Sequence, residues 1–394
     1  MQYRLKDCLE KVIDNRGKNP TYFDKEKYPV IDNVYIKNNY YINDKIVNRY
    51  IDQETYDNFL RGYVENDMPI MTLVGSGIGN VGLIKNEKVA IVQNTIGFKT
   101  KSILESKYLY YWFLTKQQEL QNFNRGSGQP SIKKTDIENM IIELPEIKEQ
   151  RRIVNILEKI DDKIELNNQI NDNLEKQLII LFNEMFFKNI KNNNTNEFEE
   201  KILYDVLEVI DNRGKTPKLV ETSDYPILDV RALSGNGRII NYDMCEKYVD
   251  EEVYNTFFRS GHPKKNDILL STVGSLAEMK LFIENKGTVA QNVVALRSKI
   301  DYPMYIYQYL KAIKSDLISY NIGSVQPSIK VTQFMKHSFY LPKSDELRKF
   351  ENISVAYTNK MFNLHKEIES LTQLRDTLLP KLMNGEIDLD KIEI

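Results

Sequence analysis

The sequence is poor in cysteine, histidine and tryptophan, with two, three and one of these residues in a chain of 394. Cys8 and Cys245 can form at most one disulfide, and no histidine lies close to either in the sequence. A stabilising disulfide framework and a zinc site built from Cys and His are therefore excluded, because each needs several such residues at short spacing.

Long apolar runs and an excess of one charge are also missing. No run nears the roughly 18 residues that a membrane helix needs, and the N-terminus lacks a signal-peptide stretch. We therefore expect a cytoplasmic protein with no membrane segment. Lys and Arg balance Asp and Glu at 54 against 56. Free-standing DNA-binding proteins usually carry a basic excess, so a nucleic-acid reader of this composition must gather its cations on one face or rely on partner subunits.

What the sequence does contain is an internal repeat. IDNRGKNP at Ile13–Pro20 returns as IDNRGKTP at Ile210–Pro217, and GSGQPSIK at Gly126–Lys133 returns as GSVQPSIK at Gly323–Lys330. Both displacements are 197 residues, half of the chain. Since the intervening segments differ, the pattern predicts two copies of one scaffold with two different surfaces, as a reader of two targets would need. A duplication whose second copy drifted without a function would leave the same pattern.

Each half is predicted to be a mixed α and β domain followed by one long helix. Alternating apolar runs predict strands at 29–36, 70–74, 89–92 and 95–99. Asp52 and Asp250 are predicted N-caps of short helices, and Ser106 of a longer helix that reaches Leu120. The aromatic stripe that begins at Tyr108 favours a domain core over a platform for stacking bases.

Apolar residues recur with a heptad period after Leu144-Pro145 and again 197 residues later. The predicted coiled-coil seam consists of Ile160, Ile164, Leu174, Leu178 and Leu181 in the first helix and Tyr357, Met361, Leu364, Ile368, Leu371 and Leu378 in the second. Asn167 and Asn171 are polar seam positions that would fix the register. Pro380 is expected to end or kink the second helix, which makes Leu382 a doubtful member. Two unconnected amphipathic helices, each packed on its own domain, are the alternative.

The predicted fold class is α+β. It comprises two similar mixed α/β domains separated by two long helices, which form an antiparallel coiled coil with internal pseudo-twofold symmetry. The predicted segments are a first domain at 1–145, a central helix at 146–190, a second domain at 191–342, a C-terminal helix at 343–383 and a tail at 384–394. The stretch 188–198 is predicted to be the linker between the halves.

No catalytic arrangement emerges from the sequence. GIGNVG at Gly77–Gly82 has the spacing of a phosphate-binding loop, but its counterpart in the second half lacks these glycines, so a tight turn is favoured. Asp267, Glu278 and Lys280 resemble the arrangement of Asp followed by Glu-X-Lys in a metal-dependent nuclease, yet the first half keeps only the aspartate. We expect a chain that is not an enzyme and binds no metal or cofactor itself.

Two repeated turns are candidates for contact with a DNA backbone. NRGK places cations around a glycine, which allows close approach to a phosphate, and GSxQPSIK ends on a lysine. The predicted phosphate contacts are Arg16, Lys18, Lys133, Lys134, Arg213, Lys215 and Lys330. Weaker candidates for the same face are Asn15, Ser76, Gln129, Ser131, Asn212, Ser275, Gln326 and Ser328. Either turn could instead be structural, since Asn and Gln often tie down backbone in turns. Residues that read bases are expected in the divergent segments.

With these motifs the chain resembles the specificity subunit of a Type I restriction-modification system. The resemblance spans essentially the whole chain and rests on the paired turns, the Leu-Pro step before each helix, and the heptads that start near Glu149 and Glu346. It implies that each domain reads one half of a bipartite double-stranded DNA target and that the helices set the spacer. It also implies that the helices dock two modification subunits, which bind S-adenosylmethionine and methylate adenine. Restriction subunits, which are ATP-dependent translocases and nucleases, would join through them.

Three other functions remain open from the residues alone. A free-standing bipartite DNA-binding regulator would bind its site without partners. A nuclease would depend on Asp267 or Glu278, and a coiled-coil scaffold would have no relation to DNA.

Overall fold

The computed structural model describes residues 1–17, 20–126, 128–289, 292–323 and 326–391. The chain divides into two units. The first unit comprises Met1–Ile164 and the chain from Ser370 onward, and the second comprises Glu165–Glu369. Each unit therefore combines one copy of the repeat with a segment of both long helices.

The secondary structure elements follow the same order in both units. The strands are β1 Gln2–Arg4, β2 Leu9–Ile13, β3 Tyr28–Ile31, β4 Asn39–Tyr41, β5 Tyr50–Ile51, β6 Pro69–Thr72, β7 Val81–Leu83, β8 Ala90–Ile91, β9 Thr95–Thr100, β10 Ile141–Glu143, β11 Phe198–Ile202, β12 Leu207–Ile210, β13 Tyr225–Leu228, β14 Tyr248–Val249, β15 Ile268–Ser271, β16 Met279–Leu281, β17 Thr288–Val289, β18 Val293–Ser298 and β19 Ser338–Pro342. The helices are α1 Leu5–Cys8, α2 Gln53–Phe59, α3 Ser106–Thr115, α4 Gln117–Asn122, α5 Lys134–Glu138, α6 Ile147–Phe182, α7 Lys188–Lys191, α8 Leu203–Val206, α9 Glu251–Phe257, α10 Pro303–Ala312, α11 Lys314–Ser319, α12 Val331–Phe334 and α13 Glu346–Met383.

Each unit contains one larger sheet, one three-stranded sheet and one antiparallel strand pair. The larger sheet of the first unit has the order β2-β9-β6-β7-β4, and that of the second unit has the order β12-β18-β15-β16. The three-stranded sheets are β5-β3-β8 and β14-β13-β17, and the pairs are β1-β10 and β11-β19. The orders match except for β4, whose counterpart in the second unit is a single parallel bridge between Ile239 and Leu281, and they confirm that the repeated sequence encodes two copies of one mixed α/β fold.

An aromatic helix packs against the larger sheet in each unit. In α3, Tyr108, Tyr110, Tyr111 and Phe113 are fully buried and share a core with strand residues such as Phe98. The helix α10 carries the equivalent buried set in the second unit. The aromatic stripe is therefore domain core, as the sequence favoured, because large aromatic surfaces gain most from removal from water.

The predicted helix caps are confirmed at two of three positions. Asp52 and Asp250 each accept a backbone N–H three residues later, at 2.8 Å. The prediction for Ser106 is wrong: Glu105 is the N-cap, and the Ser106 hydroxyl lies 3.0 Å from the Thr100 hydroxyl. The helix also ends at Thr115 and resumes as α4, so it does not run unbroken to Leu120.

The strand predicted at 29–36 is too long. Strand β3 ends at Ile31, and Asp32 caps a 3-10 turn at Asn33–Tyr35 by accepting the Asn33 N–H at 2.8 Å. An aspartate that bonds to the following backbone offers the chain an alternative to the strand ladder, and here that alternative wins.

The two long helices contact each other in both units and run antiparallel in the second. They span 36 residues in α6 and 38 in α13. In the first unit the Asp161 carboxylate lies 2.9 Å from the Arg375 guanidinium. In the second unit Asn167 donates to Glu367 at 3.0 Å. In the same unit the Phe182 ring lies 5.7 Å from that of Phe350, so a later position on α6 meets an earlier position on α13, and the predicted antiparallel pairing is confirmed there.

All eleven apolar seam positions are buried or half-buried, with Leu178, Met361 and Leu364 the most enclosed. The buried face is wider than a two-stranded seam, because Glu175 and Phe182, four residues beyond seam positions, are also buried. Phe182, for instance, lies with its ring 5.5 Å from that of Tyr305 in α10. The helices thus pack on the domains as well as on each other.

A buried ion pair ties the helices to the domain in the first unit. Asp161 is 2% exposed, and besides Arg375 it accepts a hydrogen bond from the Tyr111 hydroxyl at 2.7 Å. Burial raises the pKa of the Asp161 carboxyl above its usual value, although Arg375 and Tyr111 oppose that rise. Residues from α6, α13 and α3 meet at this one point.

The second unit has a buried ion pair of different origin. Arg238 is fully buried and donates from Nε to Glu175 of α6 at 2.7 Å. Its other nitrogens donate to Thr358 of α13 at 2.8 Å and to Gln308 of α10 at 3.3 Å. The arginine comes from a loop of the domain here, whereas in the first unit it comes from α13.

Pro380 does not end the second helix, and the predicted linker at 188–198 is too long. Helix α13 continues through Pro380 to Met383, and Leu382 is 2% exposed within the core of the first unit. A proline removes one helical hydrogen bond, but only the last turn follows it, and burial of Leu379 and Leu382 outweighs that loss. The stretch 188–198 is not all linker, because α7 extends to Lys191 and β11 begins at Phe198.

Candidate nucleic-acid interface

The repeated turns lie at one end of the larger sheet in the first unit. Strand β2 ends opposite the start of β9, and β6 ends there too. Strands β7 and β4 both begin at that end. The turn after Ile13, the hairpin at 73–80 and the loop at 32–38 therefore share one edge, which we call the loop end.

The second unit repeats this arrangement. Strands β12 and β15 end beside the start of β18, and β16 begins beside the end of β15. Ile239 forms a parallel bridge with Leu281 of β16, so the chain before Ile239 approaches from the same side. The loop end of the second unit thus carries the turn after Ile210, the hairpin at 272–278 and the loop at 229–238.

The Asp-Asn-Arg-Gly turn holds its arginine by an ion pair with its own aspartate. Arg16 donates from Nε and Nη2 to the two carboxylate oxygens of Asp14, at 2.8 and 2.7 Å. Arg213 donates from the same two nitrogens to the carboxylate oxygens of Asp211, at 2.8 and 2.6 Å. The following Gly17 has a φ of +87°, a conformation that glycine adopts without strain.

This pairing fixes which edge of each guanidinium remains available. The hydrogen bonds from Arg16 lower the pKa of the Asp14 carboxyl, so the pair stays charged. Arg16 and Arg213 keep 29% and 28% of their side chains exposed, and Nη1 of Arg213 also lies 3.4 Å from the Thr272 hydroxyl. A guanidinium has five N–H donors, of which the carboxylate takes two, so the remaining edge can contact a phosphate. Asp14 and Asp211 also stand at the 197-residue offset, inside the repeated motif, although they were not among the predicted contacts.

The Asn of the same turn is occupied inside the protein. Asn15 is 3% exposed, and its amide donates to the carbonyls of Gly62 and Ile91, each at 3.0 Å. Its oxygen accepts the backbone N–H groups of Arg61 and Gly62, at 2.8 and 3.1 Å. With every donor used, the side chain of Asn15 serves the fold and lies outside the interface. Asn212 is half-buried and makes the corresponding bonds to Ser260 and Gly261.

Replacing Asn15 with alanine is expected to lower the stability of the first unit by about 1–3 kcal/mol, because several buried backbone groups would lose their partners. Base preference should not change. Urea unfolding followed by hydrogen exchange of β2 and the 60–64 loop measures the first effect. Asn212→Ala is the matched control and should cost less, since its side chain is only half-buried. A change of target sequence in Asn15→Ala would contradict this assignment.

The Gly-Ser-X-Gln-Pro-Ser-Ile-Lys turn docks on the hairpin at the loop end. In the first unit the Gly75 N–H donates to Pro130 at 3.0 Å, and the Ile132 N–H donates to Leu73 at 2.9 Å. In the second unit the same bonds join Gly274 to Pro327 at 3.2 Å and Ile329 to Thr272 at 2.8 Å. The two repeated turns are therefore brought to one face in each unit.

An asparagine before this turn holds its two ends together. Asn124 accepts the N–H groups of Gly126 and Ser131 at 3.1 and 3.0 Å, and Asn321 accepts those of Gly323 and Ser328 at 3.0 and 2.8 Å. Both asparagines stand at the same 197-residue offset, a signal in the sequence that could have marked them as functional. A side chain at Gly126 would overlap the Gln129 carbonyl, which explains why glycine is repeated there.

The predicted polar and basic residues differ in their exposure to solvent. Lys133, Lys215 and Lys330 are exposed, and so are Ser76, Gln129, Ser275 and Gln326. Lys134 is half-buried, lies 3.5 Å from Glu138, and helps to lower the pKa of Asp14, which places it beside the first turn. Ser131 and Ser328 are half-buried. Lys18 lies outside the described residues.

A cleft in the second unit joins the two repeated turns. Its volume is about 570 Å³, and its walls include Asp211, Arg213, Ser328 and Lys330. Lys299 adds a further cation to the lining. The residues that repeat in sequence thus surround one open, charged groove.

The nuclease-like set does not assemble into a metal site. Asp267 pairs with Arg297 at 2.8 Å, and Glu278 pairs with Lys314 at 2.8 Å. Lys280 is buried and donates to the Gly235 carbonyl at 3.0 Å. Within the described ranges no three His, Cys, Asp or Glu side chains are placed to share a metal ion. GIGNVG forms the β6–β7 hairpin and the start of β7.

Among the helices that the structure describes, none has the length and apolar character needed to cross a membrane.

Comparison with known proteins gives one consistent family. Residues 1–176 and 195–375 match the family model described as Type I restriction modification DNA specificity domain. The chain is 26% identical over 331 residues to the Type I restriction enzyme MjaIX specificity subunit of Methanocaldococcus jannaschii, covering 77% of this chain and 76% of that protein. It is 23% identical over 338 residues to the HindI specificity subunit of Haemophilus influenzae, covering 67% and 72%.

The crystal structure of a Type I restriction-modification S subunit from M. genitalium has a similar fold. The TM-score is 0.58 at 18% identity, and the match covers 97% of this chain and 95% of that one.

Proposed function

Because the chain belongs to the family of Type I restriction modification DNA specificity domains, we propose that each unit reads one half of a bipartite double-stranded DNA site. The protein would then supply sequence choice to a methyltransferase complex and perform no catalysis itself. This function places it in the cytoplasm.

One observation carries the proposal. Both units present the same two turns at the loop end of equivalent sheets, while the neighbouring loop at 32–38 differs from that at 229–238. Identical residues cannot distinguish two different half-sites, so the repeated turns suit what both half-sites share, namely the phosphate backbone. The divergent loops suit the bases.

The balanced charge of the chain supports the need for partners. A protein with 54 basic and 56 acidic residues gains little from counterion release on its own. We assign docking of two modification subunits, and through them of restriction subunits, to α6 and α13. S-adenosylmethionine would bind to the modification subunits. The same helices, which pass through both units, are the elements we assign to fixing the spacer.

Purification of the tagged full-length chain from its own host tests this function. We expect two methyltransferase chains to accompany it, and the complex to methylate adenine when S-adenosylmethionine is added. The chain alone should bind a defined site weakly at physiological salt and should form no methyladenine.

Two other outcomes would replace the proposal. Tight, site-specific binding by the chain alone, with no methyltransferase in the purified material, would indicate a free-standing regulator. Metal-dependent cleavage of DNA that is lost in Asp267→Asn would indicate a nuclease.

A further inference from the structure

The loop at 229–238 is the divergent segment at the loop end of the second unit. It leads into the chain that bridges to the edge strand β16, next to the hairpin at 272–278. Its sequence, DVRALSGNGR, shares the initial Asp with DNVYIKN at 32–38 in the first unit but otherwise differs. The loop therefore lies at the loop end and differs between the two units.

The backbone of this loop is held in place by hydrogen bonds from its inner side. The Arg231 N–H donates to Asp229 at 3.0 Å, and the Ser234 hydroxyl donates to the Arg231 carbonyl at 2.6 Å. Lys280 donates to the carbonyls of Gly235 and Gly237 from the buried side. Arg238, at the far end of the loop, is fully buried and bound to Glu175. A reading side chain needs such support, since discrimination between bases depends on fixed geometry.

The tip of the loop is open. Ser234, Gly235, Asn236 and Gly237 are all exposed, and no atom lies within 4 Å of where a Cβ would stand at either glycine. The Asn236 amide makes no hydrogen bond within the part of the chain that the structure describes. An exposed amide between two glycines can approach a base edge closely, because no neighbouring side chain blocks it.

The chemistry of the tip indicates what it recognises. A carboxamide matches the N6 donor and N7 acceptor of adenine in the major groove. We propose that the 229–238 loop is the base-reading element of the second unit and that Asn236 is a specificity-determining residue that contacts an adenine edge. This rests on the proposed function and names the part of the interface that selects sequence.

The counterpart in the first unit carries different chemistry. Val34 is 58% exposed, and Lys37 is exposed. An apolar side chain suits a thymine methyl group, and a lysine suits the acceptors of guanine. The two units would therefore read different bases through loops at equivalent places.

Asn236→Ala tests the proposal with the full complex. A DNA pool with a fixed first half-site and a randomised second half-site is incubated with the complex, and the retained DNA is sequenced. We expect discrimination at one position of the second half-site to fall by about 5- to 150-fold, the value of one bidentate contact. A second pool, with a randomised first half-site and a fixed second half-site, should give the same preference as the wild type, which makes it the internal control. Lys37→Ala, tested against both pools, should alter the preference at the first half-site only.

Each outcome decides the proposal. An unchanged second half-site in Asn236→Ala overturns it, as does a change confined to the first half-site. If the Asn236→Ala complex no longer methylates DNA, the retained DNA still reports its sequence preference. A relaxed preference at the second half-site supports the proposal, and an unchanged preference contradicts it. If the wild-type complex selects no bipartite sequence at all, the proposed function fails before the loop is tested.

Discussion

Replacement of Glu175 by alanine is expected to lower the free energy of unfolding of the second unit by about 3–5 kcal/mol. The variant leaves the fully buried Arg238 without its carboxylate, and a buried charge that loses its partner is strongly destabilising. Urea unfolding monitored by hydrogen exchange across α9 to α12 measures the loss in the second unit alone, which matters because a chain of two units need not unfold in one step.

Glu184→Ala is the matched control for that variant. Glu184 lies in the π-helical turn Asn183–Phe187 that follows α6 and pairs with Lys188 at 2.5 Å, but 57% of its side chain is exposed. An exposed pair contributes about 0–1 kcal/mol. Removing Glu175 and Arg238 together should cost less than the sum of the single changes, because no unpaired charge remains. Equal losses for Glu175→Ala and Glu184→Ala would contradict a buried, stabilising pair.

Replacement of Arg16 or Arg213 by alanine is expected to weaken DNA binding by the complex by about 1.5–3 kcal/mol, the range for a hydrogen bond to a charged group. The loss should be nearly the same for every DNA sequence, because both units carry this arginine on the same aspartate. The slope of log affinity against log salt should become shallower by about 0.9 for each phosphate that the variant no longer neutralises. Filter binding over a series of salt concentrations measures both quantities.

Two further variants separate charge from geometry at this turn. Arg16→Lys keeps the charge but loses the planar pair of donors, so it should retain the salt slope while weakening affinity. Arg348→Ala removes an exposed arginine at the start of α13 and should change neither. An altered base preference in Arg16→Ala would show that the arginine contacts a base and not the phosphate backbone.

The structural features that depend on local sequence pattern or on the repeat could be predicted from the sequence. Two identical motifs at one offset predicted two copies of a fold, and aspartates before short helices predicted their caps. Buried aromatic residues in α3 followed from their spacing. The repeat also identified the two turns as candidate contacts, but the sequence does not show that both lie at one end of a sheet.

What escaped prediction depends on interactions between distant residues. Arg238 and Glu175 are 63 residues apart, and Asp161 and Arg375 are 214 apart, so no local pattern marks either pair. Asn15 has the composition of a DNA contact, yet residues more than 40 positions away bury it. Pro380 would end an isolated helix, but packing of its last turn keeps α13 intact. In each case tertiary burial decides the role of the residue.

Sequencing of methylated bases in the host genome, with and without this gene, tests the central claim most directly. The account predicts that deletion removes one methyladenine motif, divided into two half-sites with a fixed gap, and leaves all other motifs in place. An unchanged methylation pattern, or loss of a motif that is continuous and undivided, would contradict the claim that the two units read the two halves of one site.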